Sequence, residues 1–405
     1  LLLLHGALPG GHQDHGHHVR AQAAGHQVRL LAARVEEPGD VEDLHRQRRE
    51  VRPQLRARPD GEVRAHQAAR SRLEVQGPRP QAVHQRSPSR QARLRQGPGG
   101  DPQDHRGAGR EGGRTVKYLY FPGCSAEATA KPYDASARAC AKALGIELVD
   151  LEDWNCCGST SYFSIRELES FGVSARNLAI AQEMGGHDLV ATCNACYTVL
   201  AKTNRYFAED ATLHAEINEA LAAAGRRYDG KVRVRHFMDV LINDVGLDEI
   251  TARVKRRLTD LRVACYYGCQ YSRPMGTFDD PEFPTTMDRL VEAIGGDPVD
   301  YPVKTKCCGG MLMLTQEDAA LKLCHELLAV AAREQADVII AACPLCEMNV
   351  EAYQPLVNKA YGTDFHIPVM YFTQLLGVAL GIDAHTLMLD KQIVPVDRVL
   401  AKVPA

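Results

Sequence analysis

Cys156-Cys157-Gly158 is followed about thirty-five residues on by Cys193-Asn194-Ala195-Cys196, and the chain writes the same pattern again as Cys307-Cys308-Gly309-Gly310 and Cys343-Pro344-Leu345-Cys346. Each copy is preceded by an isolated Gly-Cys, Gly123-Cys124 in the first and Gly268-Cys269 in the second. The three pieces lie 145, 151 and 150 residues apart between copies, so a whole module is duplicated.

The segments around these cysteines alternate between strand and helix patterns. Val116 to Phe121 reads as a strand that turns at Pro122-Gly123-Cys124. A helix from about Tyr133 to Leu144 stops at Gly145, and Ile146 to Leu151 is a strand ending before the first Cys pair. Glu167 to Met184 is an amphipathic helix, and Asp188 to Thr192 a short buried strand that delivers Cys193. The second copy keeps the order: strand Leu261 to Ala264, helix Thr285 to Ile294, extended run Pro298 to Val303, helix Asp318 to Gln335, and strand Asp337 to Ala342 before Cys343. The tails match as well, Val232 to Leu241 against Ile367 to Leu376, each a strand running into a helix. Strand–helix alternation predicts an α/β fold with two small parallel sheets, and such sheets collect ligands at the carboxyl ends of their strands. The predicted divisions are residues 1–115, a first module 116–258 and a second module 259–405.

Residues 1–115 carry ten of the sixteen His and contain no Lys, Ile, Phe, Tyr, Trp, Asn, Met or Cys. Without aromatic residues or Ile, such a segment has little apolar surface with which to offset its ordering entropy. It has no clear fold: a disordered tail and an out-of-frame translation of GC-rich DNA are the two readings. A formal charge of -3 gives no argument for nucleic acid or an anionic membrane. The most apolar run, Ile367 to Ile382, falls short of the ~20 residues that span a bilayer. The cysteine count is odd at thirteen, no secretory signal is visible, and adjacent cysteines are poor disulfide partners for each other. Metal ligation in a reducing compartment, the cytoplasm, is the better reading.

Thiolate is a soft ligand that selects zinc, Cu(I) or iron–sulfur clusters. Zinc takes four ligands, whereas each module offers five: Cys124, Cys156, Cys157, Cys193 and Cys196, then Cys269, Cys307, Cys308, Cys343 and Cys346. Five thiolates bring too much negative charge for one divalent ion, and a multi-iron cluster spreads it. Gly158 and Gly309 let the backbone approach inorganic sulfide closely.

These modules resemble the cysteine-rich CCG domain. Phe121-Pro-Gly-Cys-Ser125, Ala264-Cys-Tyr-Tyr-Gly-Cys269, Cys343-Pro-Leu-Cys-Glu-Met-Asn349 and Ile367-Pro-Val-Met-Tyr-Phe-Thr-Gln-Leu-Leu376 together resemble the B subunit of heterodisulfide reductase, from Val116 to the C-terminus. The resemblance implies that the ten cysteines above hold two noncubane [4Fe-4S] clusters, one per module, facing a shared cavity. It implies reductive cleavage of a disulfide, the mixed disulfide of coenzymes M and B or an analogous one, with one electron from each cluster. It also implies two partner subunits, one carrying flavin (the family's A component) and one ferredoxin-like (its C component), since this chain shows neither a nucleotide motif nor a ferredoxin cysteine pattern. Two alternatives stand beside it: a CCG electron-transfer subunit of a quinone-linked dehydrogenase, and a zinc-binding assembly module without catalysis.

The remaining cysteines read differently. Cys140 and Cys324 fall inside helices as small hydrophobes, and Cys265 competes with Cys269, which the match to Gly123-Cys124 favours. Lys304, Lys306 and Arg273 flank ligand positions and read either as anion-holding groups or as solvated charge. His236 aligns with Tyr371 and reads as packing at a strand end, and Trp154 as a shield for the cysteine pair.

Overall fold

The computed structural model describes residues 116–404, apart from Gly186, His187, Pro274 and Thr277. The N-terminal 115 residues, with both readings given for them, lie outside the described residues.

The first module builds a four-stranded parallel sheet in the order β2-β1-β3-β4, from β1 (Val116–Phe121), β2 (Ile146–Asp150), β3 (Leu189–Ala191) and β4 (Val234–His236). The second repeats it as β6-β5-β7-β8, with β5 (Arg262–Tyr266), β6 (Asp297–Pro298), β7 (Val338–Ala341) and β8 (Val369–Tyr371). The central strands β3 and β7 are buried along their length, as parallel strands covered on both faces must be. The expected extended run from Pro298 to Val303 stays beside β5 only at its start. The Asp297 and Val299 N–H groups donate to the Leu261 and Val263 carbonyls at 2.9 Å. The chain then turns at Tyr301 to Lys304, where the Tyr301 hydroxyl donates to the Leu327 carbonyl at 3.0 Å.

The helices that frame the site are α1 (Lys131–Ala143), α2 (Glu167–Glu183) and α3 (Asn194–Glu209) in the first module. Their second-module counterparts are α4 (Thr286–Ala293), α5 (Glu317–Arg333) and α6 (Pro344–Ala352), followed by α7 (Phe372–Ala379). Pro132 enters α1 in its first turn, where the missing N–H costs nothing, and Gly145 at φ +72° lets the chain leave for β2.

Both apolar cores draw on both modules. One joins Phe121, Leu178 and Val199 with Tyr266, Leu327 and Val350; the other joins Tyr133, Met238 and Leu241 with Tyr267, Leu290 and Phe372. The exchange is reciprocal. Helix α1 of the first module packs on α7, the tail helix of the second, while α4 of the second packs on the tail of the first around Leu247–Arg253. Ser136 and Thr373 hydroxyls meet at 2.6 Å in the first of these contacts.

Candidate metal centres

Every cysteine of the repeated pattern sits at the carboxyl end of its sheet or in the loop beside it. β1 and β5 run out at Gly123-Cys124 and Gly268-Cys269; β3 and β7 deliver Cys193 and Cys343, which stand at the N-caps of α3 and α6. Cys196 and Cys346 lie in the first turns of those helices.

The sulfurs form one unbroken string. In the first module Cys124 and Cys156 are 3.7 Å apart and Cys157 and Cys196 are 3.5 Å apart, while Cys156 and Cys157, and Cys196 and Cys193, are near enough to perturb one another's protonation. In the second, Cys269 meets Cys307, then Cys308, Cys346 and Cys343 follow in the equivalent order. The two halves join at Cys193 and Cys343, whose thiols lie close enough to shift each other's protonation, Cys193 up and Cys343 down. Cys124 and Cys156 are exposed, while Cys157, Cys193, Cys196, Cys308, Cys343 and Cys346 are buried. Hydrogen bonds from Cys269 and then Cys308 pull the Cys307 thiol down to about 2, and contact with Cys307, together with burial, pushes Cys308 up to about 12. The string is thus a row of thiols and thiolates sharing protons, which a metal displaces on binding.

The surroundings fit a polynuclear sulfide group. Gly123 (φ +77°) and Gly268 (φ +73°) occupy equivalent turns, and a Cβ on either would stand 2.9 Å from the sulfur of Cys196 or Cys346. Gly309 at φ +93° likewise has no room, because Ala320 Cβ would be 2.9 Å away. Backbone N–H groups of Ser159, Gly309 and Gly310 donate to Cys157, Cys307 and Cys308 sulfurs at 3.4 Å each, a donor arrangement that stabilises thiolate. Among the described residues no three Cys, His, Asp or Glu side chains close on a single point as one bare ion would require.

The other candidates are placed as follows. Cys140 donates to the Thr373 carbonyl at 3.1 Å inside the α1–α7 contact. Cys265 lies within β5, in a different apolar core from the one that holds Cys308, Cys343 and Cys346. Cys324, on α5, backs the second Cys pair: its thiol donates to the Cys308 carbonyl at 3.3 Å, and burial pushes it up to about 12. Lys304 is bound to Asp288 at 2.8 Å, Lys306 to Glu326 at 3.0 Å, and Arg273 donates to the Thr305 carbonyl at 2.9 Å, so each of these cations has a protein partner. Trp154 sets its ring edge-on to Phe121 at 5.5 Å.

His236 is fully buried, and desolvation lowers it to about 4. Its Nδ1 accepts from Met238 N–H, so the neutral ring carries its proton on Nε2, which donates to the Thr192 carbonyl at 2.8 Å.

Three residues that the cysteine pattern did not single out gather at the same place. The Tyr133 hydroxyl reaches the carbonyls of Thr192 (2.8 Å) and Ala342 (3.2 Å), the residues just before Cys193 and Cys343. Asn194 donates from Nδ2 to the Tyr267 carbonyl at 2.7 Å, crossing from one module to the other, while its Oδ1 is buried without a partner among the described residues. Asn349 donates to the Gly310 carbonyl at 2.9 Å and lies 3.6 Å from Cys308 sulfur. Asn349 and Asn194 lay in stretches marked by sequence, Cys343 to Asn349 and Cys193 to Cys196, but only as spacers; Tyr133 and Asn194 act across modules.

Two parallel sheets whose strand ends carry paired cysteine loops define a duplicated cysteine-rich protein, and the Cysteine-rich domain family, CCG, matches residues 118–201 and 263–351. The chain is 31% identical over 293 residues to the B subunit of the ferredoxin/F(420)H(2)-dependent CoB-CoM heterodisulfide reductase of Methanosarcina acetivorans, covering 71% of this chain and 97% of that one. It is 33% identical to a protein of Archaeoglobus profundus described as like the B subunit of heterodisulfide reductase (66% and 92% covered). It is also 32% identical to the 8-methylmenaquinol:fumarate reductase membrane anchor subunit of Wolinella succinogenes (69% and 97%). The chain belongs to the CCG-domain family of the heterodisulfide reductase B subunit. A crystal structure of a hypothetical protein from Helicobacter pylori shares the fold at TM-score 0.59 and 17% identity, over 71% of this chain and about half, 53%, of that chain. The named relatives are subunits of oxidoreductase complexes, which gives the chain a redox role within a multisubunit assembly, and the family implies iron–sulfur clusters. No helix of the described residues is long and apolar enough to cross a membrane.

Proposed function

We propose that this chain is the iron–sulfur subunit of a heterodisulfide reductase-like complex that reductively cleaves a disulfide. Cys124, Cys156, Cys157, Cys193 and Cys196 hold one [4Fe-4S] cluster of noncubane type, and Cys269, Cys307, Cys308, Cys343 and Cys346 hold a second. The observation that carries the reading is the single string of ten thiols, five from each module, whose halves meet at Cys193 and Cys343. The reaction consumes two electrons and two protons and turns one disulfide into two thiols. Two bound clusters supply the electrons one at a time.

The chain's own residues supply placement and dryness. Gly123 and Gly268 leave space against the ligand sulfurs. Tyr133 and His236 fix the peptides before Cys193 and Cys343, and the buried cysteines keep water from the junction. Glu347, next to Cys346, is pushed up to about 8 by burial and by neighbouring Glu351, and is held by the Tyr371 hydroxyl at 2.9 Å. Two partner subunits, one ferredoxin-like and one carrying flavin, deliver the electrons, the cytoplasm provides the reducing setting, and the disulfide of coenzymes M and B or an analogue is the substrate.

The likeness to the fumarate reductase subunit favours a second reading, in which the same two centres relay electrons in a quinone-linked complex. Iron and acid-labile sulfide on anaerobically purified chain test the shared premise: about eight of each per chain are expected, and zinc in their place overturns both readings. Disulfide-dependent oxidation of a reduced viologen, with a new EPR signal on adding thiol to the oxidised protein, separates them. Iron without any disulfide turnover in the reconstituted complex leaves the relay.

A further inference from the structure

Thr192 and Ala342 are equivalent residues of the repeat, 150 apart, and their carbonyls immediately precede the two cysteines through which the modules touch. A phenol has one proton, yet Tyr133 Oη lies at 2.8 and 3.2 Å from these two oxygens, placing it between the equivalent peptides of the two sheets. The ring cannot swing away. It is 1% exposed and stacks on Tyr371 at 4.2 Å with the planes 5° apart, and Phe372 lies edge-on at 5.9 Å. Tyr133 rides on α1 and Tyr371 ends β8, so the stack itself bridges the modules. His236 shares the Thr192 carbonyl, its Nε2 donating at 2.8 Å.

We propose that Tyr133 is a positioning residue that clasps the strand ends of β3 and β7 and so holds Cys193 against Cys343, making the two centres one redox unit. It acts by fixing the two peptides from which the junction cysteines hang. A shift of about 1 Å at such a junction is enough to cost on the order of a hundredfold in a reaction that needs both halves aligned. The inference rests on the proposed function for its spectroscopic consequence, and on geometry alone for its chemical one.

Y133F keeps the stacked ring and removes the shared proton. In the cluster-loaded full chain we expect Y133F to retain wild-type iron and sulfide, to weaken the magnetic interaction between the two reduced centres seen as EPR line splitting, and to slow disulfide turnover at least tenfold. In the metal-free chain, diamide takes two electrons and two protons from neighbouring thiols to leave a disulfide; peptide mass spectrometry is expected to find the Cys193–Cys343 cross-link in wild type and several-fold less in Y133F. Unchanged splitting together with unchanged cross-link yield overturns the clasp. If Y133F does not fold, Y371L, which removes the supporting ring and leaves Tyr133 in place, is read by the same two measurements. If the wild-type chain carries no iron, the functional reading fails and the cross-link yield alone decides the clasp.

Discussion

At the scale of single residues, the centres depend on atoms that are missing as much as on those present. Gly123→Ala would set a methyl 2.9 Å from Cys196 sulfur at φ +77°, whereas Gly145→Ala meets a similar φ of +72° with nothing within 4 Å. Both carry left-handed strain of roughly 1 kcal/mol or more. Only the first crowds a sulfur of the proposed centre, so under the proposed function Gly123→Ala is expected to lose about half the iron per chain and Gly145→Ala none, measured by metal analysis after reconstitution. His236 gives a pH signature. Desolvation holds it near 4 against the weaker pull of Asp239 and Cys343, while the unfolded residue titrates at 6.5. Above pH 6.5 its contribution is fully present; as pH falls toward 4 the unfolded chain gains a proton the fold refuses, and about 3 kcal/mol is lost. His236→Gln is expected to flatten that part of the pH dependence relative to wild type in urea unfolding. The cysteines were legible because their spacing repeats. Tyr133 was not, since its importance comes from a carbonyl 209 residues away in the other module. The flanking cations Lys304 and Lys306 sat beside ligand positions in sequence, but sequence does not show that Asp288 and Glu326 already hold them.

At the scale of elements, the two modules fix their cysteine loops by different means. In the first, Asn177 on α2 exchanges two hydrogen bonds of 2.9 Å with the backbone of Asn155, just before the Cys pair. In the second, Asn349 on α6 reaches the loop after the pair and lies near Cys308 sulfur. The repeat puts Leu327 and Val199 at the corresponding places. Asn349→Val therefore removes a donor near sulfur from the second centre alone, and hydrogen bonds to sulfur are among the determinants of cluster potential. One of the two centres is expected to move to a more negative potential in a redox titration followed by EPR, with stability lowered by about 1–3 kcal/mol for the carbonyls left unpaired. Strand order and the helices around the cysteines were readable because hydrophobic period and glycine stops agree; the helices Ala211–Ala222 and Gln354–Tyr361 were not read, and the extended run from Pro298 keeps its ladder bonds only as far as Val299 before the turn at Tyr301.

At the scale of the whole molecule, a tandem repeat suggests two independent units, yet each apolar core mixes residues of both modules. Residues 116–258 or 259–405 expressed alone would leave the mates of α1 and α4 behind. Each half is expected to be unfolded or aggregated by circular dichroism and size-exclusion chromatography, and the two co-expressed halves to associate. A stable, monomeric, folded half would refute this. Periodicity assigns residues to sheets, but it carries no information on which helix of one repeat covers the other.

The first helix of each module docks on the other module's tail, but on different parts of it, α1 on α7 and α4 on Leu247–Arg253. Joining two copies in one polypeptide releases each copy from having to match its twin. Asn194, whose carbonyl oxygen has no partner among the described residues, thus has as its equivalent in the second copy Pro344, which has no side-chain polar group to offer. A homodimer presents the same chemistry to both ends of whatever it grips. This fused pair presents two different neighbourhoods, which is what telling one end of an unsymmetrical molecule from the other demands.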